Sequence, residues 1–492
     1  MTGVDLRAAP PQHASATRRW WMLAIIATAQ LMVVLDATIV NIALPSAQAE
    51  LRFSDGERQW VITAYALAFG SLLLAGGRVA DMLGRRLVFL IGLAGFAAAS
   101  AIGGAATSFE LLVTARAAQG VFGALLAPAA LALLTTIFAE GTDRTRAFSI
   151  FGAVAGSGSA IGLLLGGVLT EYLDWRWTLY VNLGFAAVAI AGGALLLPRT
   201  GRDRSIRLDL PGAALSAAGL FAVVFGLTRA QEESWSDVST WGFLVAGAAL
   251  LAAFVGRQRR ARNPLLPLRV LADRGRAASL LSITIVSAAM FAVFLFLTFY
   301  LQQNLHFTPV RTGLAFMPMM VALIVASALS TSVLLPRIGP KVAVSVAMVV
   351  AATGMAWFTL LDEDSTYVAN VLPALILTGL GIGGVMAPAM SLGTHGVGEH
   401  DAGVASATVN TTMQIGGSIG TALLTTLATA AATDYLATHD PSDPLQLGLA
   451  TLESYRTAFM WSALLFLLGA VLTAVLYRRG ALSIDNNAAV HM

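Results

Sequence analysis

Two ionisable residues sit deep inside apolar runs. Asp36 lies in Leu35-Asp36-Ala37-Thr38-Ile39-Val40-Asn41, and Arg116 in Arg116-Ala117-Ala118-Gln119-Gly120. A charge in a low-dielectric interior is costly, so an ionisable residue there is a functional candidate. Two opposite charges in one such interior must lie close together or reach water. Burial disfavours the charged form of Asp36, and a neighbouring guanidinium favours it. A carboxyl balanced between the two influences can take up and release a proton, with Arg116 as its partner. The structural alternatives are a helix cap or break at Asp36, with Asn41 and Pro45 following, and an Arg116 that snorkels to the nearer edge. Uncharged polar residues share these runs: Gln30, Asn41, Gln119, Asn182, Asn410 and Gln414. Each can bond across helices or line a cavity. Gln119 is one turn from Arg116 and shares its face. Gln30, Asn41, Gln119, Asn410 and Gln414 are assigned to a substrate cavity.

Three further groups carry spacing of interest. The stretch Gly77-Arg78-Val79-Ala80-Asp81-Met82-Leu83-Gly84-Arg85-Arg86 sets one acid among three arginines. Gly84 permits a tight turn, and Asp81 can latch onto a basic partner or a helix end in one conformation. Gly158, Gly162 and Gly166 recur every fourth residue, with Gly167 beside the last. Such a stripe allows close helix approach, and a sliding contact between halves is one use of it. His395, Glu399, His400 and Asp401 could suggest a metal site, but they read better as a solvated loop, and no metal is expected.

These residues need elements to hold them. The chain has 492 residues, of which 57% are hydrophobic and 12% charged, with a mean hydropathy of +0.76. A soluble domain carries about 25% charged residues, so this is an integral membrane protein. There are no cysteines and one lysine, Lys341. Thiolate metal sites, disulfides and a P-loop are therefore excluded. A net charge of +3 spread over many loops is no nucleic-acid signal. No convergent nucleophile, base or metal set marks an enzyme.

Hydropathic runs predict fourteen spanning helices, each of roughly 20 residues. They fall near Trp20–Leu44, Gln59–Val79, Leu87–Ala106, Leu111–Phe138, Ala147–Leu169, Trp177–Leu197, Leu210–Leu227, Val238–Val255, Ser279–Leu301, Gly313–Leu335, Val342–Leu361, Val368–Leu392, Gly403–Ala432 and Ala458–Tyr477. With the N-terminus inside, 23 basic residues fall on inside segments, 6 on outside loops, and Arg116 within a span. That asymmetry predicts an even number of spans and two cytoplasmic termini. An internal repeat is also visible. Gly77–Arg86 has a faded copy around Gly339, and Gly123–Ala129 recurs as Gly383–Ala389. Spans 1–6 thus match spans 9–14. The expected organisation is a tail (1–19), a six-helix half (20–200), two inserted helices with basic linkers (201–278), a second six-helix half (279–480) and a tail (481–492). Duplicated halves with a site between them are a transporter architecture.

Together these motifs resemble the major facilitator superfamily, and within it the fourteen-span drug:proton antiporter family. Gly77–Arg86 is similar to the superfamily's loop between the second and third helices. Arg116–Gly120 resembles the fourth-span motif of proton-coupled exporters, and Leu35–Pro45 the first-span motif of the fourteen-span branch. Trp175-Arg176-Trp177 and Asn182 fit the start of that branch's sixth span. Two departures stand out: Leu163 follows Gly162 where the branch has proline, and Gly184 stands where Asn-x-Pro usually ends. The first puts the rigid kink of span 5 in question.

The resemblance implies alternating access, proton-driven export of a small lipophilic drug-like or antibiotic-like compound, and no cofactor beyond the proton gradient. Asp36 becomes the proton and substrate carboxylate, Arg116 its modulating partner, and Gly77, Asp81, Gly84, Arg85 and Arg86 the conformational latch. One deep acid predicts one proton per cycle. Some members that export dications carry an extra acid in the tenth span; Gly313–Leu335 has none, which argues against dications as preferred substrates. Expected partners are protons, a small lipophilic substrate and the bilayer, with no nucleic acid and a monomeric chain in a bacterial inner membrane. The alternatives are a proton symporter importing a small metabolite and a membrane sensor that does not transport.

Overall fold

The computed structural model of the chain describes residues 16–54, 56–138, 141–198, 209–232, 235, 237–261, 264–266, 273–394, 402–440 and 442–477. The expected tails before residue 16 and after residue 477, Arg199 to Arg207, Arg262, Arg269, and the candidate metal residues His395, Glu399, His400 and Asp401 lie outside them. Among the described residues every regular element is helical. The first half holds α1 (Ala16–Leu51), α2 (Gln59–Leu83), α3 (Arg85–Gly104), α4 (Phe109–Ile137), α5 (Gly141–Tyr172) and α6 (Trp177–Leu196). An inserted hairpin of α7 (Leu210–Glu232) and α8 (Val238–Arg260) follows. The second half holds α9 (Arg274–Ala292), α10 (Pro309–Ala315), α11 (Met317–Leu329), α12 (Leu335–Phe358), α13 (Leu372–Thr394), α14 (Ala402–Leu436) and α15 (Pro444–Leu476). Its helices are interrupted by π-helical turns at Val293–Leu297, Tyr300–Asn304, Ser330–Leu334 and Tyr367–Val371.

Among the described residues eleven helices are long and apolar enough to cross a membrane, or twelve if α2 is taken as one span bent by 56° between Leu73 and Ala75. That is fewer than the fourteen expected. One of the eleven, Pro309–Phe358, is 50 residues long and leaves helical geometry at Gly339 (φ 73°, ψ 168°). The 32-residue α5 is not among them.

Several boundaries differ from expectation for local reasons. α1 runs unbroken through Asp36 and Pro45, so Asp36 neither caps nor breaks it. α15 starts at Pro444 rather than near Ala458. Asp443 accepts from the Leu445 amide at 3.0 Å, proline suits the first helical turn, and Ala450, Leu452 and Tyr455 give the added turns a buried face. Gly84 (φ 100°) and Gly339 (φ 73°), paired by the sequence repeat, are the glycines with positive φ among the described residues. The repeat thus marks two tight turns that only glycine enters without strain. Pro128 and Pro388, the second repeated pair, both lie inside helices, α4 and α13.

The first half buries Ile26, Met32, Phe69, Phe89, Phe96 and Leu133 as one core. A larger core crosses between halves, joining Ile39, Ile42, Leu163 and Leu179 to Phe296, Phe299, Phe358 and Phe459. The inserted hairpin lies against the seam: Leu220, Val224 and Leu227 of α7 pack with Leu67 of α2 and Ala422 of α14. Thr426 of α14 donates to the Leu227 carbonyl at 2.9 Å.

Candidate functional site

Five helices of the first half converge on one buried polar cluster. α1 supplies Asp36, α3 Ser100, α4 Arg116 and Gln119, α6 Asn182, and α2 the ring of Tyr65. Asp36 is fully buried and Arg116 only 2% exposed. The Arg116 guanidinium donates to Asp36 Oδ2 at 2.6 Å, to Gln119 Oε1 at 2.9 Å and to the Val61 carbonyl at 3.1 Å. It also lies 4.5 Å from the centre of the Tyr65 ring. Asp36 Oδ1 accepts from Gln119 Nε2 at 2.9 Å and from Asn182 Nδ2 at 2.7 Å. Both amides also donate to the Ser100 hydroxyl, at 2.6 Å from Gln119 and 3.1 Å from Asn182.

The arrangement is neutral as a whole, which is the condition for burying two charges. It is a carboxylate site: three hydrogen bonds reach Asp36, all of them donated to it. Removing either charge would strand the other, at a cost of about 3–5 kcal/mol. Arg116 therefore does not snorkel. Its aliphatic stem and head both stay inside, between the Tyr65 ring and the Asp36 carboxylate.

The expected residues divide in space. Asp36, Arg116 and Gln119 come together, and Gln119 is enclosed in the network rather than facing an open cavity. Asn41 is buried, with Nδ2 bonded back to the Ala37 and Thr38 carbonyls of its own helix at 3.1 and 3.2 Å. Gln30 is half-buried on α1. Gln414 is buried at the seam, where a Cβ on Gly70 of α2 would come within 2.8 Å of its Cβ. Asn410, one turn earlier on α14, is half-buried.

The latch residues are engaged within their own half. Arg85 donates to Asp81 Oδ1 through Nε and Nη2, both at 3.3 Å. It also reaches the Ala132 carbonyl at 3.1 Å and the Thr136 hydroxyl at 2.5 Å on α4. Arg86 donates to the Ala194 carbonyl on α6. Gly77 meets only Pro128, whose Cβ would be 3.6 Å from an added Cβ. Arg78 reaches outward, to the Pro264 carbonyl after α8 at 3.1 Å.

The glycine stripe is not a sliding contact between halves. Gly158, Gly162 and Gly166 face Val34, Thr38 and Ile39 of α1, in the same half. Gly167 does cross, against Pro309 and Val310. Leu163 is buried in the shared core, with its carbonyl against Gly313. Gly184 has open space around it.

Sequence reasoning missed the contacts that close one end of the seam. Arg58, counted there with the outer loops, is 4% exposed and lies 4.1 Å from the Phe299 ring centre. Gln302 donates to the Ile42 carbonyl at 3.1 Å, and the Val310 amide donates to Glu171 at 2.9 Å. Nothing in their local sequence distinguishes these residues from ordinary loop and helix-end positions. Gln302 lies in the π-turn Tyr300–Asn304, and Phe299 directly precedes it, a local irregularity of a kind often found at functional places.

A family model described as Major Facilitator Superfamily matches residues 26–421. The puromycin resistance protein pur8 of Streptomyces alboniger is 49% identical over 479 residues, covering 96% of this chain and 95% of that protein. The cephamycin export protein CmcT of Amycolatopsis lactamdurans is 40% identical over 457 residues, 92% of each chain. Among solved structures, a bacterial homolog to the human lysosomal transporter Spinster, inward-facing and unoccupied, aligns with a TM-score of 0.66. It shares 15% identity, over 94% of this chain and 98% of that one, a likeness of fold. The chain belongs to the Major Facilitator Superfamily, and it is a multi-pass membrane transporter of the drug-efflux branch, not an enzyme.

Proposed function

We propose that this transporter is a proton-coupled antiporter that exports a small, lipophilic, antibiotic-like compound by alternating access. The observation that carries the reading is the fully buried Asp36–Arg116 pair, held by polar groups from four helices in one half. A carboxyl there can carry one proton per cycle between the two sides. The names of the relatives, puromycin resistance and cephamycin export, support the substrate class and the outward direction.

The chain is placed in a bacterial inner membrane as a monomer with both termini cytoplasmic, and the reading calls for no cofactor. Fourteen crossings fit this placement. The 50-residue stretch Pro309–Phe358 is more than twice one span of about 20 residues, and it turns at Gly339. The 32-residue α5 is itself longer than one span. In this orientation the end sealed by Arg58, Gln302 and Glu171 is the outer one. Asp81 and Arg85 are read as the latch of the cycle, and Gln30, Asn41, Asn410 and Gln414 as residues along the path between the halves.

The test is puromycin uptake into energised inside-out vesicles carrying the native chain. Uptake that a protonophore abolishes is expected. Uptake indifferent to the protonophore would remove proton coupling, and uptake driven in the opposite direction would make the protein an importer.

A further inference from the structure

The hydrogen-bond network around Asp36 is complete for the ionised carboxylate only. A protonated Asp36 has an O–H that needs an acceptor. Four oxygens besides its own carboxyl belong to the cluster's side chains. The Tyr65 hydroxyl is buried and forms no hydrogen bond to Asp36; its ring lies against the Arg116 guanidinium on the far side of the pair. Gln119 Oε1 already accepts from Arg116 at 2.9 Å. Ser100 Oγ accepts from both amides, at 2.6 and 3.1 Å. Asn182 Oδ1 is buried and has no hydrogen-bond partner.

The two amides are not equivalent. Gln119 is fixed at both ends, because turning it over would set its NH2 against the Arg116 guanidinium, donor against donor. Asn182 is fixed only through Nδ2, which donates to Asp36 and Ser100. Turning it over breaks no bond at its other end. The only charged or titratable side chains brought against Asp36 among the described residues are Arg116 of α4 and, beyond it, Tyr65 of α2.

We propose that Asn182 is a positioning residue that reverses its side-chain amide when Asp36 takes up a proton. This rests on the reading of Asp36 as the proton carrier. With Asp36 ionised, the Asn182 NH2 donates to Oδ1. With Asp36 protonated, the amide turns over, and Asn182 Oδ1 accepts the new O–H of Asp36. Ser100 makes both orientations possible, because a hydroxyl both donates and accepts. In the first state it accepts from both amides. In the second it accepts from Gln119 and donates its own hydrogen to Asn182 Oδ1, which has two lone pairs for the two donors. The proton stays on Asp36 throughout, and no other group changes charge. The reversal converts the proton state of α1 into a changed bond to α6 and α3.

The test is pH-difference infrared spectroscopy of the full-length protein in lipid vesicles, with isotope-labelled asparagine. The expected spectrum has a protonated-carboxyl band that is lost in Asp36→Asn. It is accompanied by an asparagine amide band that moves with the same pH dependence and is lost in both Asp36→Asn and Asn182→Leu. A carboxyl band that titrates while no asparagine band moves overturns the reversal and leaves Asp36 as the carrier. Absence of any titrating carboxyl band overturns both. Transport supplies a second readout. Asn182→Thr, which keeps one group able to donate and accept, is expected to retain proton-driven uptake. Asn182→Leu is expected to lose about tenfold or more, while substrate exchange without a pH gradient is less affected. Equal losses in both assays, or in both variants, would mark Asn182 as structural only.

Discussion

The guanidinium of Arg58 lies 4.1 Å from the centre of the Phe299 ring, tying the start of α2 to the segment between two π-turns that follows α9. The contact crosses the seam between the two halves. Around it the seam is closed by bonds to backbone, from Gln302 to the Ile42 carbonyl and from the Val310 amide to Glu171. A desolvated cation–π contact contributes about 2 kcal/mol, enough to shift a two-state population about thirtyfold. Phe299→Ala is therefore expected to open this end more often. The chain has no cysteines, so a single cysteine at the half-buried Asn304, in the same π-turn as Gln302 but outside these contacts, reports directly. Its labelling by an impermeant thiol reagent should accelerate in the variant, and unchanged labelling would show that the seal does not depend on this pair.

Neighbouring glycines before the α2–α3 turn should behave differently. An added Cβ at Gly76 would stand 1.9 Å from the Ala124 carbonyl oxygen, whereas at Gly77 it would meet Pro128 at an ordinary 3.6 Å. Gly76→Ala is expected to lower the thermal midpoint of the purified protein markedly, and Gly77→Ala to leave it nearly unchanged. Gly84→Ala, at φ 100°, carries backbone strain of about 1–3 kcal/mol and should fall between them.

Acid should weaken the inserted hairpin. Burial pushes the Asp209 carboxyl up, but bonds from Arg257, the Gly212 amide and Gln258 outweigh it and hold the group below the usual carboxylate value. Arg257 is 2.6 Å away and Gln258 3.0 Å. A depressed folded-state value contributes stability above the unfolded value and loses it as pH falls through the folded one. The native thermal midpoint should thus drop as pH falls below about 4, and Asp209→Asn should start lower and show less of that drop. Parallel curves for the two proteins would remove Asp209 as a stabilising group.

Coupling to one carboxyl fixes the energetics. One proton exchanged for a neutral substrate draws on both the potential, about 2.3 kcal/mol per 100 mV, and the gradient, about 1.4 kcal/mol per pH unit. Export of a neutral compound should therefore be electrogenic, and export of a monovalent cation electroneutral. Reversal potentials in proteoliposomes measure this, and a ratio above one proton per substrate would contradict a single carrier.

Much of the site was legible because its members are conspicuous in an apolar chain. Asp36 and Arg116 are ionisable residues inside spans, and Gln119 lies a turn from one of them. Gly84 and Gly339 emerged from the repeat, and both proved to have positive φ. Ser100 did not stand out, because a serine in an alanine-rich helix reads as a small packing residue. Tyr65 reads equally as core. Asn182 was one polar residue among several, and only the meeting of α1 with α6 sets it apart. Arg58 looked like a loop charge because its partner, Phe299, comes from a segment distant in sequence. The glycine stripe showed close packing without showing the partner, which is α1 rather than the other half.

The most direct test of the central claim is proton release on substrate binding. The purified transporter in weakly buffered detergent solution, at a series of starting pH values, is mixed with puromycin while a pH dye is monitored. The expected result is about one proton released per native chain and none from Asp36→Asn, each protein compared at a drug concentration that a direct binding assay shows to saturate it. Equal release from both proteins would contradict Asp36 as the proton carrier.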